Sequence, residues 1–147
     1  MGSDFDFDRF CPILVRETPD AVIYADSNGV IRFWNAGAAR IFGFSGAETI
    51  GNSLDMIIPQ NLRALHWAGY NEAVRTGNTR YPAGEILAVP ALRRDGARIS
   101  IELTLLPFRD ERGTIVGIGA ILRDVTKRLQ ELRNLRRQRI DDRPADD

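Results

Sequence analysis

The 147-residue chain holds one histidine, His66, and one cysteine, Cys11. A centre that needs two histidines cannot be assembled from one copy. A single cysteine excludes an internal disulfide and a cysteine-only metal site. Glu48, Glu72 and Glu85 are scattered over separate segments and form no acid–base pair. With no Ser-His-Asp set, phosphate loop or metal-ligand cluster, the sequence predicts a module without catalytic activity. His66 is the sharpest feature. If Pro59 to Gly77 is helical, Leu62, His66, Gly69 and Ala73 share one face, which Leu65 extends, so the face is predicted to point inward. Gly69 and Ala73 beside an inward imidazole leave room for a flat group. The bland reading of His66 is a hydrogen-bonded core or boundary residue. Trp67 and Tyr70 read as boundary packing residues. Cys11 reads as a small buried hydrophobe or, alternatively, as a redox-active or ligating thiol.

The composition suits one domain with tails. Apolar residues make up 44% of the chain, enough for a core, and charged residues 27%, a normal polar surface. Twenty basic side chains balance twenty acidic ones, which argues against a general nucleic-acid binder. No apolar run approaches the roughly 18 residues that span a bilayer. The acidic start, Met1 to Asp8, lacks the plan of a signal peptide, so the expected compartment is the cytoplasm.

The elements that must position His66 are legible. Residues 4–17 suit a short amphipathic helix interrupted near Pro12. Ala21 to Ala25 and Val30 to Trp34 flank the turn signal Asp26-Ser27-Asn28-Gly29, which predicts a hairpin. Trp34 is expected on the sheet or under the N-terminal helix. Asn35 is a good N-cap for an Ala-rich helix ending near Gly43. Turns and short helices follow over 44–58, and Pro59 is expected to start the longest interior helix, with Gly77 as its C′ residue. Three strands are predicted over 84–92, 98–108 and 114–123. In the second of these, Ile99, Ile101, Leu103 and Leu105 alternate with polar residues, the period of a half-buried strand. Leu103, Leu105, Ile118 and Leu122 are the expected core of this part. Two strands, a helical middle and three strands predict an α+β fold, an antiparallel sheet with helices over one face.

The boundaries fall at 1–17 for an N-terminal flanking helix, 18–126 for the domain, 127–140 for a C-terminal helix and 141–147 for a polar tail read as disordered. Val125, Leu129 and Leu132 follow the spacing of a coiled-coil seam, but Leu135 falls where Arg136 should be apolar. A dimeric coiled coil and a helix packed back on its own domain both remain open. Arg133, Arg136, Arg137 and Arg139 form a basic face, read as solvated rather than as a specific nucleic-acid contact.

Five segments together carry a resemblance: Thr18 to Val22, Val30 to Asn35, Ala38 to Gly43, Arg93 to Gly96 and Gly119 to Thr126. In order and spacing they resemble the PAS domain, a bacterial signalling sensor module, over residues 10–126. The resemblance implies five antiparallel strands cupping helices around a pocket. It also implies that Asp124 and Thr126 join the sensor to a signalling helix and hence to a downstream domain or partner. The local reading is that either residue caps that helix. The His66 region resembles the haem-binding PAS subgroup, including rhizobial oxygen-sensing histidine kinases, which place an axial histidine at this distance before a Thr-Gly pair, here Thr76-Gly77. That likeness implies haem b on His66 alone, Gly69 beside it, Arg80 against a propionate, and Leu103 and Leu105 over the distal face. Ile86 or Leu87 stands where the oxygen sensors carry an arginine, and such an apolar pocket favours carbon monoxide or nitric oxide over stable oxygen. Flavin-based light sensors of the family need a cysteine in the middle helices, whereas Cys11 lies before the domain. Non-covalent flavin or another small ligand stays an alternative, as does a cofactor-free dimerisation module. A homodimer is expected in either case.

Overall fold

The turn residues set the sheet. Asp26 accepts hydrogen bonds from the Asn28 and Val30 N–H groups at 2.9 and 3.1 Å, and Gly29 takes φ +76°, a conformation glycine adopts without strain. Asp110 plays the same part at the last hairpin, accepting from Arg112 and Thr114. The computed structural model describes residues 4–78 and 87–142. Strands β1 (Ala21–Asp26), β2 (Ile31–Trp34), β3 (Leu87–Leu92), β4 (Arg98–Arg109) and β5 (Ile115–Asp124) form one antiparallel sheet in the order β2-β1-β5-β4-β3. The two strands that lie far apart in sequence, β1 and β5, are thus central neighbours, with Ala21 opposite Leu122.

Helices α1 (Phe7–Glu17), α2 (Ala36–Phe42), α3 (Gly46–Thr49), α4 (Arg63–Thr76) and α5 (Thr126–Asp141) complete the order, with two 3-10 turns, Leu54–Ile57 and Gln60–Leu62, before α4. α2 and α4 pack on the sheet face that bears Ala21, Ile23, Ala25, Ile118 and Leu122. Asn35 caps α2 as expected and does more. Its side chain accepts from the Ala38 and Val22 N–H groups and donates to the Val15 and Asp20 carbonyls, tying α1, β1 and α2 at one buried point. Gly43 and Gly77 close α2 and α4 in the left-handed conformation.

Several expectations need correction. Pro12 does not interrupt α1. The helix runs through it, since a proline forfeits one backbone bond, while Asp6 caps the start and Asn35 holds Val15 near the end. Pro59 does not open an α-helix: the Leu62 N–H bonds to the Pro59 carbonyl, a 3-10 turn, and α4 begins only at Arg63. Trp34 packs on Phe42 of α2, with ring centroids 5.4 Å apart, and gives its indole N–H to the Phe44 carbonyl. Val125, taken as the first seam position, is buried in its own domain. Ile118 and Leu122 are core, whereas Leu103 and Leu105 share the inward face of β4 but are only half-buried. Asp141, placed in the tail, ends α5; residues 143–147 lie outside the described residues.

Candidate functional site

The site is built on α4, and the helix is turned differently from the expected face. Tyr70 and Ala73 are its buried residues, with Trp67 and Val74 packed beside them against Ala25, Ile118 and Leu105. Leu65, expected inward, is 63% exposed, which corrects the predicted stripe. Taking about 100° per residue, the buried stripe centres near Tyr70, and Leu65 lies on the far side. His66 falls inside this stripe, about 40° from Tyr70 and between it and Ala73.

Three contacts set that rotation. The Tyr70 hydroxyl donates to the Asp26 carbonyl at 2.6 Å and lies 3.3 Å from the Ala25 carbonyl. Burial, with the nearby charge of Asp26, pushes the Tyr70 hydroxyl far above the ordinary tyrosine range, so it stays a neutral donor. Trp67 gives its indole N–H to Asp55 at 2.7 Å, and its ring covers Gly29, where a Cβ would lie 2.1 Å from the indole. The β1–β2 turn therefore needs glycine for space as well as for φ.

His66 packs on both of these rings, with centroids 4.7 Å from Trp67 and 5.7 Å from Tyr70, while the two meet each other at 5.4 Å. Its Nδ1 is buried and has no hydrogen-bond partner. Burial lowers the His66 pKa below 6.5 against the opposing pull of Asp55, so the ring is neutral at pH 7. An unpartnered buried polar atom costs about 1–3 kcal/mol, which a hydrogen-bond partner to it would recover. Gly69 is exposed, and a Cβ there would meet nothing within 4 Å, while Ala73 is buried. A neutral imidazole next to small residues fits one axial bond to haem iron through its outer nitrogen, Nε2, because Cβ beside Nδ1 bars that atom from a porphyrin. Among the described residues no cluster of three or more His, Cys, Asp or Glu could hold a bare metal ion.

Leu105 packs in the α4 cluster, and Leu103 packs against the larger core cluster on the other side of the same face. The structure thus places the two leucines in different clusters. Arg80 and Ile86 lie outside the described residues. Cys11 is partly exposed on α1. At the far end of β5, Asp124 Oδ1 accepts from the Thr126 N–H and hydroxyl at 3.0 and 2.6 Å, and Thr126 Oγ1 accepts from the Ser100 N–H at 2.9 Å. The pair bolts the start of α5 to β4. Sequence reasoning missed Asp55, Gly29 and Asp26 as partners of α4, because these contacts join segments distant in sequence.

An antiparallel sheet in this strand order, with α2 and α4 on one face, defines a single-sheet α+β module. The profile of the PAS fold matches residues 15–130, and the chain belongs to that family. It is 29% identical over 127 residues to the sensor protein FixL of Bradyrhizobium diazoefficiens, covering 82% of this chain and 25% of FixL. It is 31% identical over 90 residues to the oxygen sensor protein DosP of Escherichia coli, covering 61% of this chain and 11% of DosP. The chain thus spans a quarter or less of these two relatives. A PAS domain of Colwellia psychrerythraea superimposes with a TM-score of 0.72 at 24% identity, covering 83% of this chain and 99% of that one. An RNA-binding light-oxygen-voltage receptor superimposes with a TM-score of 0.65 at 18% identity, covering 95% and 41%; at such identities the likeness is of fold. Among the described residues no helix is long and apolar enough to cross a membrane.

Proposed function

We propose that this PAS sensor domain binds haem b through His66 and senses a diatomic gas or redox state without catalytic activity of its own. The neutral, half-buried imidazole of His66, the one histidine of the chain, carries this reading. The similarity to an oxygen sensor protein and to the sensor protein FixL supports it. Bound haem would supply an iron with one position open to oxygen, carbon monoxide or nitric oxide. The chain supplies the rest. His66 offers an uncharged lone pair, which protonation would remove. Trp67 and Tyr70 hold the imidazole in place through Asp55 and Asp26. Leu103 and Leu105 would keep water from the open face, and Arg80 would pair a propionate carboxylate. Asp124 and Thr126 would pass a shift of β5 to α5 and so to a downstream domain or partner. The module would work in the cytoplasm as a homodimer.

The full chain reconstituted with haem is expected to show a strong Soret band that shifts when carbon monoxide is added after reduction. His66→Ala should lose most haem affinity and keep its far-ultraviolet circular dichroism. His66→Gly with added imidazole should restore the spectrum. No stoichiometric uptake by the wild-type chain, or unchanged uptake by His66→Ala, would reject the assignment. One observation favours a cofactor-free interaction module in that event: Trp67 and Tyr70, the chain's own side chains, line the inward side of α4.

A further inference from the structure

α1 and α5 are the two helices with no buried residue, and both leave apolar side chains in solvent. Phe7, Phe10, Ile13 and Leu14 of α1 are each 45% exposed or more, and Leu132, Leu135 and Ile140 of α5 likewise. The two helices start from one place. Ala21 pairs with Leu122, Asp20 holds Arg123 at 3.1 Å, and α1 ends and α5 begins within a few residues of these contacts.

Their charges are sorted in opposite senses. On a wheel of about 100° per residue, the α1 stripe of Phe7, Phe10 and Leu14 has Glu17 beside it, with Arg9 and Arg16 on the back. The acidic Asp4 and Asp6 lead into this stripe. On α5 the pattern inverts: Arg136 and Arg139 fall within the stripe of Leu129, Leu132, Leu135 and Ile140, while Asp141 lies opposite and Glu131 flanks the Leu135 edge. A parallel α5 pair would press these arginines against their own copies, where like charges repel. A surface that is both apolar and cationic instead fits one that is apolar and acidic.

We infer that the Leu/Arg face of α5 seats α1 of a second copy, so that each protomer gives the acid-flanked apolar face of α1 to its partner's basic α5. This rests on the homodimer reading above. It specifies a reciprocal α1–α5 interface in place of a self-paired α5 coiled coil. The arrangement covers both apolar stripes with one isologous contact.

Two charge-reversed full-length chains test it by light scattering and sedimentation. One carries Arg136→Glu with Arg139→Glu, the other Asp4→Lys with Glu17→Lys; all four positions are exposed. Each variant alone is expected to fall to the monomer mass with wild-type circular dichroism. An equimolar mixture should regain the dimer mass, because each reversed helix then meets one of opposite sign. The mixture also controls for folding, since damaged chains would not recover on mixing. If the α1 variant alone remains a dimer, α5 pairs with itself and the interface is wrong. If the α5 variant alone remains a dimer, α1 sits elsewhere, and a mixture that stays monomeric also overturns the inference. A monomeric wild-type chain overturns the homodimer reading itself.

Discussion

The inward side of the sheet holds two regions of unlike quality. Around α2, Ile31, Phe42, Ala38 and Ala21 are fully enclosed and are among twelve buried residues drawn from all five strands, α2 and the first 3-10 turn. Around α4, four residues are buried, Ala25, Tyr70, Ala73 and Ile118, and the neighbours Trp67, Val74 and Leu105 are half-exposed. The first region has its polar atoms paired, with Asn35 making contacts to three segments. The second holds His66 Nδ1, buried without a partner. One half of the core therefore holds the fold, and the other retains an unmet donor–acceptor demand in a loosely covered cluster. A sensor needs this division, because a site that exchanges ligands must be the part whose rearrangement costs least.

The largest expected effect tests the rigid half. Phe42→Ala should lower the unfolding free energy by about 3–5 kcal/mol, read from the urea midpoint, because the ring is enclosed and leaves a cavity. In the α4 half, Tyr70→Phe should cost about 1–2 kcal/mol by leaving the Asp26 carbonyl without its donor. Equal losses at the two positions would erase the contrast. The smallest effect is a pH dependence. Because burial lowers the His66 pKa, the unfolded chain takes up a proton near pH 6.5 that the folded chain refuses. Stability of the haem-free protein should fall as pH drops through that value, and His66→Phe should flatten the fall between about pH 7 and 5. A wild-type slope matching the variant's over this interval would show that His66 is not held neutral by burial.

Much of the architecture was readable from local chemistry. The Asp26 to Gly29 turn, the Asn35 cap, the Gly43 and Gly77 stops and the alternation of β4 all emerged where expected, because each depends on residues close in sequence. The site was less legible. His66 stood out as the lone histidine, and its helix is present, but the face that includes Leu65 is not the buried one. Gly69, expected beside the imidazole in the interior, lies in the open. The pattern of α4 is ambiguous because Leu62, Leu65, Trp67, Tyr70 and Ala73 wrap most of the helix, so periodicity alone does not choose a side.

The sequence by itself determined the order and kind of the elements, the caps and turns that bound them, and the presence of a single imidazole on the longest interior helix. These follow from side-chain periods, from glycine at positive φ and from capping side chains that reach only two or three residues. Only the tertiary structure decided how α4 is rotated about its axis. That choice belongs to the Tyr70 hydroxyl on the end of β1, the Trp67 ring over Gly29 and its bond to Asp55, contacts across 12 to 44 residues of chain. A helix can turn about its own axis without breaking a backbone hydrogen bond, so its internal chemistry leaves the angle open and the partners across the core set it.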